Sequence, residues 1–231
     1  MTDVILFDLD GTLSDTHGLA RATWLEALRP HGIDVDFEFY QKNIRGQSRE
    51  EALDNILPNL EKEESQQLLD TQDGYYRNRL STTGPLPGLF PFLNRANEKG
   101  YRLALVSNAP QEIADKILHS LGLEDTFDVK TFAEEVEAAK PDPAVYHLAL
   151  ERLGVGPDRC LAFEDSPKGV TAAINAGLKV IGMAATHSPA ELRDAGASLV
   201  VGDFVDVALD DILEHPDSSK EYEYLQHGED K

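Results

Sequence analysis

The chain has 231 residues and a formal net charge of −21, with 41% hydrophobic and 27% charged residues. Such a charge repels polyanions, which argues against binding to nucleic acid or to an anionic membrane surface. No apolar stretch approaches the ~18 residues that a membrane span requires, and the first residues lack the pattern of a secretory signal. We therefore expect a soluble, cytoplasmic protein, with one large core or one core and a small accessory domain.

Five short apolar runs predict the strands of a parallel sheet. The runs are continuous rather than alternating, as expected for strands that are covered on both faces. They are Val4–Phe7, Leu103–Val106, Cys160–Phe163, Lys179–Gly182 and Ser198–Val201. Helical patterns lie between them, for example at Ile113–Gly122 and Ala144–Gly154. This alternation predicts an α/β fold with a Rossmann-like, doubly wound parallel sheet.

The stretch from Thr16 to Thr83 interrupts this alternation. It contains no convincing strand, and it ends in a segment rich in proline and glycine, "TTGPLPGL". Its amphipathic helical patterns are Leu19–Leu28, Arg49–Leu57 and Ser65–Leu80. We interpret residues 16–83 as a helical domain inserted into a core of residues 1–15 and 84–231, and we expect it to form a mobile cap. The alternative is that these helices pack rigidly into the same core.

Polar side chains follow the predicted strands at the edge where open α/β sheets bind ligands. Asp8 and Asp10 follow the first strand, together with Gly11 and Thr12. Each of these groups has an ordinary alternative role, as a solvated turn, a helix cap or a surface lysine. The further polar residues at this edge are Ser107, Asn108, Lys140, Glu164 and Asp165. Their common position at one edge is what favours a ligand site.

The chemistry of these side chains indicates a metal ion. Four carboxylates at one partly dry edge repel each other unless a cation neutralises them. Oxygen ligands are those that Mg²⁺ prefers, and the absence of histidine and cysteine from these strand ends argues against zinc.

Four motifs in chain order resemble those of the haloacid dehalogenase superfamily, in its phosphatase branch. They are "FDLDGTLSDT", "VSNA", "AAKPDP" around Lys140, and "FEDSPKG". The resemblance spans nearly the whole chain, and the helical insertion is similar to the helical cap of the β-phosphoglucomutase and phosphoglycolate phosphatase subgroup. The family fold implied is the same doubly wound sheet with an inserted cap.

The resemblance also implies residue roles. Asp8 would attack phosphorus and form an aspartyl phosphate, while Asp10 would protonate the leaving oxygen and later activate water. The residues that would bind the phosphoryl group are Leu9, Thr12, Ser107, Asn108 and Lys140. Those that would hold Mg²⁺ are Asp8, the backbone carbonyl of Asp10, Asp165 and, directly or through water, Glu164.

Asp10 distinguishes between the branches of this superfamily. Its dehalogenases lack a carboxylate here because a halide needs no proton to leave, so we do not expect dehalogenation. Nothing in the predicted cap identifies the lysine of the phosphonate-cleaving branch either.

The segment "IRGQSREEAL" leaves two interpretations open. It looks like the substrate-specificity stretch of β-phosphoglucomutase, in which Arg49 would hold a second phosphate with Arg45 and Gly46 nearby. Alternatively, it is a solvated helix start that Ser48 caps, with Glu51 at the capping-box position. The mutase also carries a histidine early in its cap, whereas this chain has Ala20 at the corresponding position and His17 three residues earlier. This departure favours a phosphatase.

The leading hypothesis is a Mg²⁺-dependent phosphomonoester hydrolase acting on a small phosphorylated metabolite such as a sugar phosphate or phosphoglycolate. The alternative is a β-phosphoglucomutase-like phosphosugar mutase. A non-enzymatic alternative is a phosphoryl-binding switch similar to receiver domains, although such a switch needs neither Asp10 nor a cap. We expect a monomer or a homodimer.

Overall fold

The computed structural model describes residues 3–45 and 47–214. Its sheet has six parallel strands in the order β3-β2-β1-β4-β5-β6. The strands are β1 (Val4–Phe7), β2 (Arg102–Ser107), β3 (Val129–Phe132), β4 (Cys160–Glu164), β5 (Lys179–Met183) and β6 (Leu199–Val201). The predicted fold class, a doubly wound parallel sheet, is confirmed, and β1 lies between β2 and β4.

All five predicted strands are present, each within one residue of the predicted bounds at either end. The sixth, β3, was not predicted. Lys130 and Thr131 interrupt its apolar run, and the strand pairs only with β2 at the edge of the sheet. An edge strand is less completely covered than a central one and so tolerates such polar residues, although β6, at the other edge, has a continuous apolar run and was predicted.

The helices follow the predicted alternation in the sheet-forming part of the chain. The α-helices are α1 (Thr16–Leu28), α2 (Phe37–Asn43), α3 (Arg49–Ile56), α4 (Lys62–Arg79), α5 (Leu89–Glu98), α6 (Gln111–Leu121), α7 (Ala144–Leu153), α8 (Pro167–Asn175), α9 (Pro189–Asp194) and α10 (Ala208–Glu214). Short 3₁₀ helices lie at Arg29–His31, Leu80–Thr82, Ala133–Glu135 and Pro157–Arg159. Within the described ranges, no helix combines the length and apolar character of a membrane span.

The chain divides into two compact units, the described parts of Met1–Asp15 with Gly84–Lys231, and Thr16–Thr83. We call them the sheet unit and the helical unit. The chain leaves and re-enters the sheet unit through two paired segments, since the Asp15 N–H donates to the Gly84 carbonyl at 3.2 Å.

Both faces of the sheet are apolar. On one face, the rings of Phe7, Phe92, Phe163 and Phe204 lie with centroids 5.1–6.3 Å apart. Val4 and Leu6 alternate with Phe7 along β1 and belong to a second buried apolar cluster. Because successive strand residues point to opposite faces, a strand covered on both faces needs the continuous apolar run that the sequence has.

The helical unit has its own apolar core, which includes Trp24, Leu28 and Leu53. Its α2 was not predicted, because seven residues are too few to show a clear helical period. Inside the unit, the Gln72 amide donates to the buried Thr23 hydroxyl at 3.1 Å.

Candidate active site

The register of the central strands places the motif that follows β1 level with the motif at the end of β4. Phe7 of β1 pairs with Leu105 of β2 on one side and with Phe163 of β4 on the other. Asp8 follows Phe7 directly, and its N–H donates to the Phe163 carbonyl at 3.0 Å. Asp8 and Glu164 are therefore neighbours at the carboxyl edge of the sheet, as the strand pattern predicted.

The loop after β1 is a tight turn around the Leu9 carbonyl. That carbonyl accepts from the N–H groups of Thr12, Leu13 and Ser14 at 2.9–3.3 Å, and the Gly11 N–H donates to the Ser14 carbonyl at 2.8 Å. Thr12 is fully buried, and its hydroxyl has no hydrogen-bond partner within the described residues. A buried hydroxyl without a partner is costly, which makes Thr12 a candidate for binding a ligand.

Two glycines leave the space that two carboxylates occupy. A Cβ at Gly11 would lie 2.2 Å from Asp165 Oδ2, and one at Gly169 in α8 would lie 1.8 Å from Glu164 Oε2. Gly11 also has a φ of 78°, which an L side chain rarely adopts. Gly169 was not singled out in the sequence; its signal was a glycine inside an otherwise helical pattern.

Lys140 lies buried between two of the carboxylates. Its Nζ is 2.8 Å from Asp8 Oδ1, 2.6 Å from Glu164 Oε1 and 2.7 Å from the Val106 carbonyl. We call Lys140, Asp8 and Glu164 the buried cluster. An ammonium has three N–H groups, and these three contacts account for all of them. Lys140 was predicted to contact the phosphoryl group; in this structure it binds the candidate nucleophile.

Burial governs ionisation in the buried cluster. It raises the pKa of Asp8 well above its usual range, because Lys140 offsets the loss of water only in part and neighbouring carboxylates raise the pKa further. Burial likewise raises the pKa of Glu164. For Lys140, burial alone would lower the pKa, but the Asp8 and Glu164 carboxylates raise it above its usual value. The lysine therefore stays charged. Any further positive charge nearby would stabilise the ionised form of the two carboxylates.

The side chains of Ser107 and Asn108 form hydrogen bonds with backbone groups of Ala109 and Lys140. The Ser107 hydroxyl accepts from the Ala109 N–H at 3.0 Å and is fully buried. The Asn108 side chain accepts from the Lys140 N–H at 3.1 Å and donates to the Lys140 carbonyl at 3.4 Å. Asn108 thus fixes the backbone of the lysine that binds Asp8.

A second set of contacts holds Asp165. The Thr186 hydroxyl is 3.1 Å from the Asp165 backbone carbonyl and also contacts Oδ2 of that residue. His187 Nδ1 is 2.9 Å from the same carbonyl. Thr186 and His187 follow β5 and were not predicted from the sequence. The available signal was their position, two polar residues after a buried strand that ends at the same sheet edge.

The geometry fits a metal ion. Asp8, Glu164 and Asp165 are all buried, and each offers an oxygen within 4.8 Å of the others. Glu164 Oε2 is buried and has no hydrogen-bond partner in the described parts of the chain. Three buried carboxylates at this spacing suit a hard cation such as Mg²⁺. The side chain of Asp10 is not part of this group; the prediction for that residue concerned its backbone carbonyl.

The residues predicted to contact substrate from the helical unit lie around the start of α3. Ser48 caps this helix, its hydroxyl accepting from the Glu51 N–H at 3.1 Å while the Glu51 carboxylate accepts from the Ser48 N–H at 2.9 Å. The predicted Ser48 cap and its capping box are therefore confirmed. Arg45 is half-buried, and Gly46 lies outside the described residues.

Arg49 belongs to a surface ion cluster of the helical unit. Its guanidinium is 2.9 Å from Asp73 of α4, and Arg77 lies 2.6 Å from the same carboxylate. We call Arg49, Asp73 and Arg77 the exposed cluster. His17 Nδ1 is 3.1 Å from the hydroxyl of the buried Tyr40, and Ala20 packs against the apolar core of this unit. These contacts give Arg49 and His17 structural partners within the helical unit.

Comparison with known proteins gives the family context. Residues 2–177 match a family model described as haloacid dehalogenase-like hydrolase. The phosphorylated carbohydrates phosphatase of Thermotoga maritima is 32% identical over 213 residues, 91% of this chain and 96% of that protein. The crystal structure of β-phosphoglucomutase from Clostridium difficile matches with a TM-score of 0.72 and 27% identity, over 98% of this chain and 100% of that one. An HAD family hydrolase from Deinococcus radiodurans R1 shares the fold, with a TM-score of 0.79 and 24% identity over 92% and 96% of the chains.

Proposed function

Because the chain belongs to the haloacid dehalogenase-like hydrolase family, we propose that it is a Mg²⁺-dependent phosphatase of small phosphorylated metabolites. The predicted family and enzyme class are confirmed by the family match and by relatives that are named phosphatases. A sugar phosphate is the substrate class that we favour, since the Thermotoga relative is named for phosphorylated carbohydrates.

In this proposal Asp8 is the nucleophile. One of its oxygens attacks phosphorus in line, the bond from phosphorus to the ester oxygen breaks, and an aspartyl phosphate forms. Asp10, two residues along the same turn, donates a proton to the leaving oxygen and then takes one from the water that hydrolyses the intermediate. Lys140 supports the first step, because its ammonium lies 2.8 Å from Asp8 Oδ1 and fixes that carboxylate.

The proposed Mg²⁺ ligands are Asp8, Glu164 and Asp165, with the backbone carbonyl of Asp10. When bound, the ion would supply positive charge that lowers the pKa of Asp8 and attracts the phosphoryl oxygens. Thr186 would keep the Asp165 carboxylate in position through the contacts described above.

The proposed phosphate-binding groups are supported to different degrees. Thr12 offers a buried hydroxyl that lacks a partner in the described residues, and the turn that contains Leu9 offers backbone amides. Ser107 and Asn108 remain candidates through N–H and hydroxyl groups not used in the contacts above. Lys140 would act on the phosphoryl charge through Asp8, because its three N–H groups are already engaged.

We further propose that Thr16–Thr83 is the helical cap of the family and that it determines substrate selectivity. Arg45, Gly46 and Arg49 are the candidate substrate contacts, although the pairing of Arg49 with Asp73 favours a structural role for that arginine. A cytoplasmic location and a monomeric or homodimeric state belong to the same proposal.

The observation that carries this function is the buried cluster, in which an ammonium holds a buried carboxylate at the end of the central strand. The test is hydrolysis of p-nitrophenyl phosphate with and without Mg²⁺. We expect turnover to require Mg²⁺, to disappear with a chelator and to fall by on the order of 10³-fold or more in Asp8→Asn. The matched control is Asp34→Asn, the same change at an exposed position of the helical unit, which should leave turnover unchanged.

Two results would reject the proposal: a folded protein without Mg²⁺-dependent turnover, or full turnover in Asp8→Asn. The mutase alternative is favoured by the likeness to the Clostridium difficile enzyme over the whole chain. It predicts conversion of β-glucose 1-phosphate to glucose 6-phosphate in the presence of the bisphosphate, and release of free phosphate as the sole product would exclude it. The receiver-like switch loses its support, because the matching family is one of hydrolases.

A further inference from the structure

Tyr146 is a fully buried tyrosine whose hydroxyl binds the buried cluster. It lies in α7, is 0% exposed and packs within the apolar layer that also contains Val4 and Leu6. Its hydroxyl donates to Glu164 Oε1 at 2.5 Å. We infer that Tyr146 is a positioning residue, whose hydroxyl fixes the Glu164 carboxylate for metal binding. This inference rests on the proposed function, since it assumes a cation beside Glu164.

The two oxygens of Glu164 have different surroundings. Oε1 accepts from Lys140 Nζ at 2.6 Å and from the Tyr146 hydroxyl at 2.5 Å. Oε2 is buried and has no hydrogen-bond partner in residues 3–45 and 47–214. Two charge-assisted hydrogen bonds are strong enough to hold one oxygen in a single position, and they thereby fix the direction of the other. The carboxylate is therefore oriented in advance, with Oε1 held by two donors and Oε2 lying close to the backbone of Gly169.

The backbone of Gly169 restricts rotation of the Glu164 carboxylate. The backbone of Gly169 passes so close that a Cβ there would lie 1.8 Å from Oε2 and 2.5 Å from Oε1. Without the Tyr146 hydroxyl, only Lys140 would hold Oε1, and Lys140 also binds Asp8. The carboxylate would then follow the lysine whenever Asp8 changes its charge or its partner.

The ring and the hydroxyl of Tyr146 have separable roles. The Lys140 ammonium lies 5.2 Å from the ring centroid, a cation–π distance that a phenylalanine would keep. The apolar packing of the ring would also remain. Replacement by phenylalanine therefore removes one hydrogen bond to Glu164 and little else, which makes it a selective test of the hydroxyl.

The experiment measures Mg²⁺ binding in two ways on chelator-treated, full-length protein. In Tyr146→Phe we expect the Mg²⁺ concentration for half-maximal hydrolysis of p-nitrophenyl phosphate to rise about tenfold, as for other partners of metal ligands, with kcat at saturating Mg²⁺ nearly unchanged. Without substrate, the rise in Tm with added MgCl₂ should move to about tenfold higher concentrations. The second readout does not depend on turnover, so it separates this inference from the proposed activity.

Tyr101→Phe is the matched control, because it also removes one hydroxyl, which donates to the Leu213 carbonyl at 3.3 Å. It should leave both Mg²⁺ dependences unchanged. A double-mutant cycle with Glu164→Gln tests the route: once Glu164 is changed, adding Tyr146→Phe should alter the Mg²⁺ dependence of Tm less than about twofold.

Three results would overturn the inference. One is a Tyr146→Phe protein with a lower Tm in chelator and unchanged Mg²⁺ dependences, which would assign the hydroxyl a purely structural role. Another is a fall in kcat alone. The third is a full tenfold effect of Tyr146→Phe in the Glu164→Gln background, because the tyrosine would then act by another route.

Discussion

The buried cluster and the exposed cluster have similar distances and opposite surroundings. In both, charged atoms approach to 2.6–2.9 Å. The side chains of the buried cluster are at most 10% exposed, whereas those of the exposed cluster are 31–44% exposed. Water screens the second set and is largely excluded from the first. Distance between charges is therefore a poor guide to the strength of an ion pair; the exclusion of water decides it.

The comparison also distinguishes charges that serve the proposed function from charges that contribute to the stability of the fold. Burying three charges is unfavourable in itself, and breaking a buried pair leaves a charge without compensation. The protein maintains such an arrangement at the end of its central strand, where we propose that Asp8 acts as the nucleophile. The exposed cluster joins α3 to α4 in the helical unit at little energetic consequence either way. We expect the largest effects of substitution in the buried cluster and the smallest in the exposed cluster.

The largest effect is expected from Lys140→Met, which removes the ammonium of the buried cluster and keeps the length of the side chain. The free energy of unfolding should fall by about 3–5 kcal/mol, since Asp8 and Glu164 lose their partner, and turnover should fall at least 10²-fold. Urea unfolding and the phosphatase assay measure the two effects. Lys116→Met is the matched control, because Lys116 lies 2.6 Å from Glu112 at the surface; its change should be below about 0.5 kcal/mol. Equal losses in both variants would refute the comparison.

Replacement of glycine by alanine should change the free energy of unfolding in opposite directions at two helical glycines. At Gly169 a methyl group must displace the Glu164 carboxylate, so Gly169→Ala should lower the free energy of unfolding by about 1–3 kcal/mol and reduce turnover. At Gly74 in α4 a methyl group would meet no atom of another described part of the chain within 4 Å, so Gly74→Ala should raise the free energy of unfolding by about 0.5–1 kcal/mol. Thermal and urea unfolding of the two variants side by side give the measurement. A neutral or stabilising Gly169→Ala would show that Glu164 moves aside freely.

The smallest effect is expected from Asp73→Ala, which breaks both pairs of the exposed cluster. The loss of stability should stay below about 1 kcal/mol and should shrink as salt is added. Comparison of Asp73→Ala with Arg49→Ala on a panel of sugar phosphates separates two roles of the arginine. If Arg49 contacts substrate, only its own replacement changes selectivity; matching profiles of the two variants would leave Arg49 a structural role alone.

Much of the fold could be predicted because its central strands are covered on both faces. Such strands need continuous apolar runs, and β1, β2, β4 and β5 each have one. The edge strand β6 has one as well. The strand β3 and the helix α2 escaped prediction for physical reasons. The first lies at the sheet edge and carries Lys130 and Thr131, and the second is too short to show a period.

The site could be predicted where function follows directly from the end of a strand. Asp8, Glu164 and Asp165, which the structure brings together, were found in this way; the role of Asp10 stays a prediction. Their partner Tyr146 was not found, because it approaches Glu164 from the first turn of α7 and its sequence pattern resembles that of an ordinary apolar position. A tyrosine at the buried face of an amphipathic helix is a usable signal, since its hydroxyl must find a partner. Which partner it finds depends on packing that no local pattern contains.

The hydrogen bond from the Asp15 N–H to the Gly84 carbonyl bears on how such a protein can acquire or exchange an inserted domain in evolution. Closing a loop of threefold greater length costs only about 1 kcal/mol of chain entropy, and less when the inserted segment folds with its ends together. Insertions succeed where both ends of the insert meet at one place on a stable scaffold. Any folded module whose termini lie as close as these two backbone groups could replace Thr16–Thr83 without altering the register of β1 with its neighbours. The sheet unit, which carries the candidate site, could thus accept different inserted domains at the place where Asp15 and Gly84 are hydrogen-bonded.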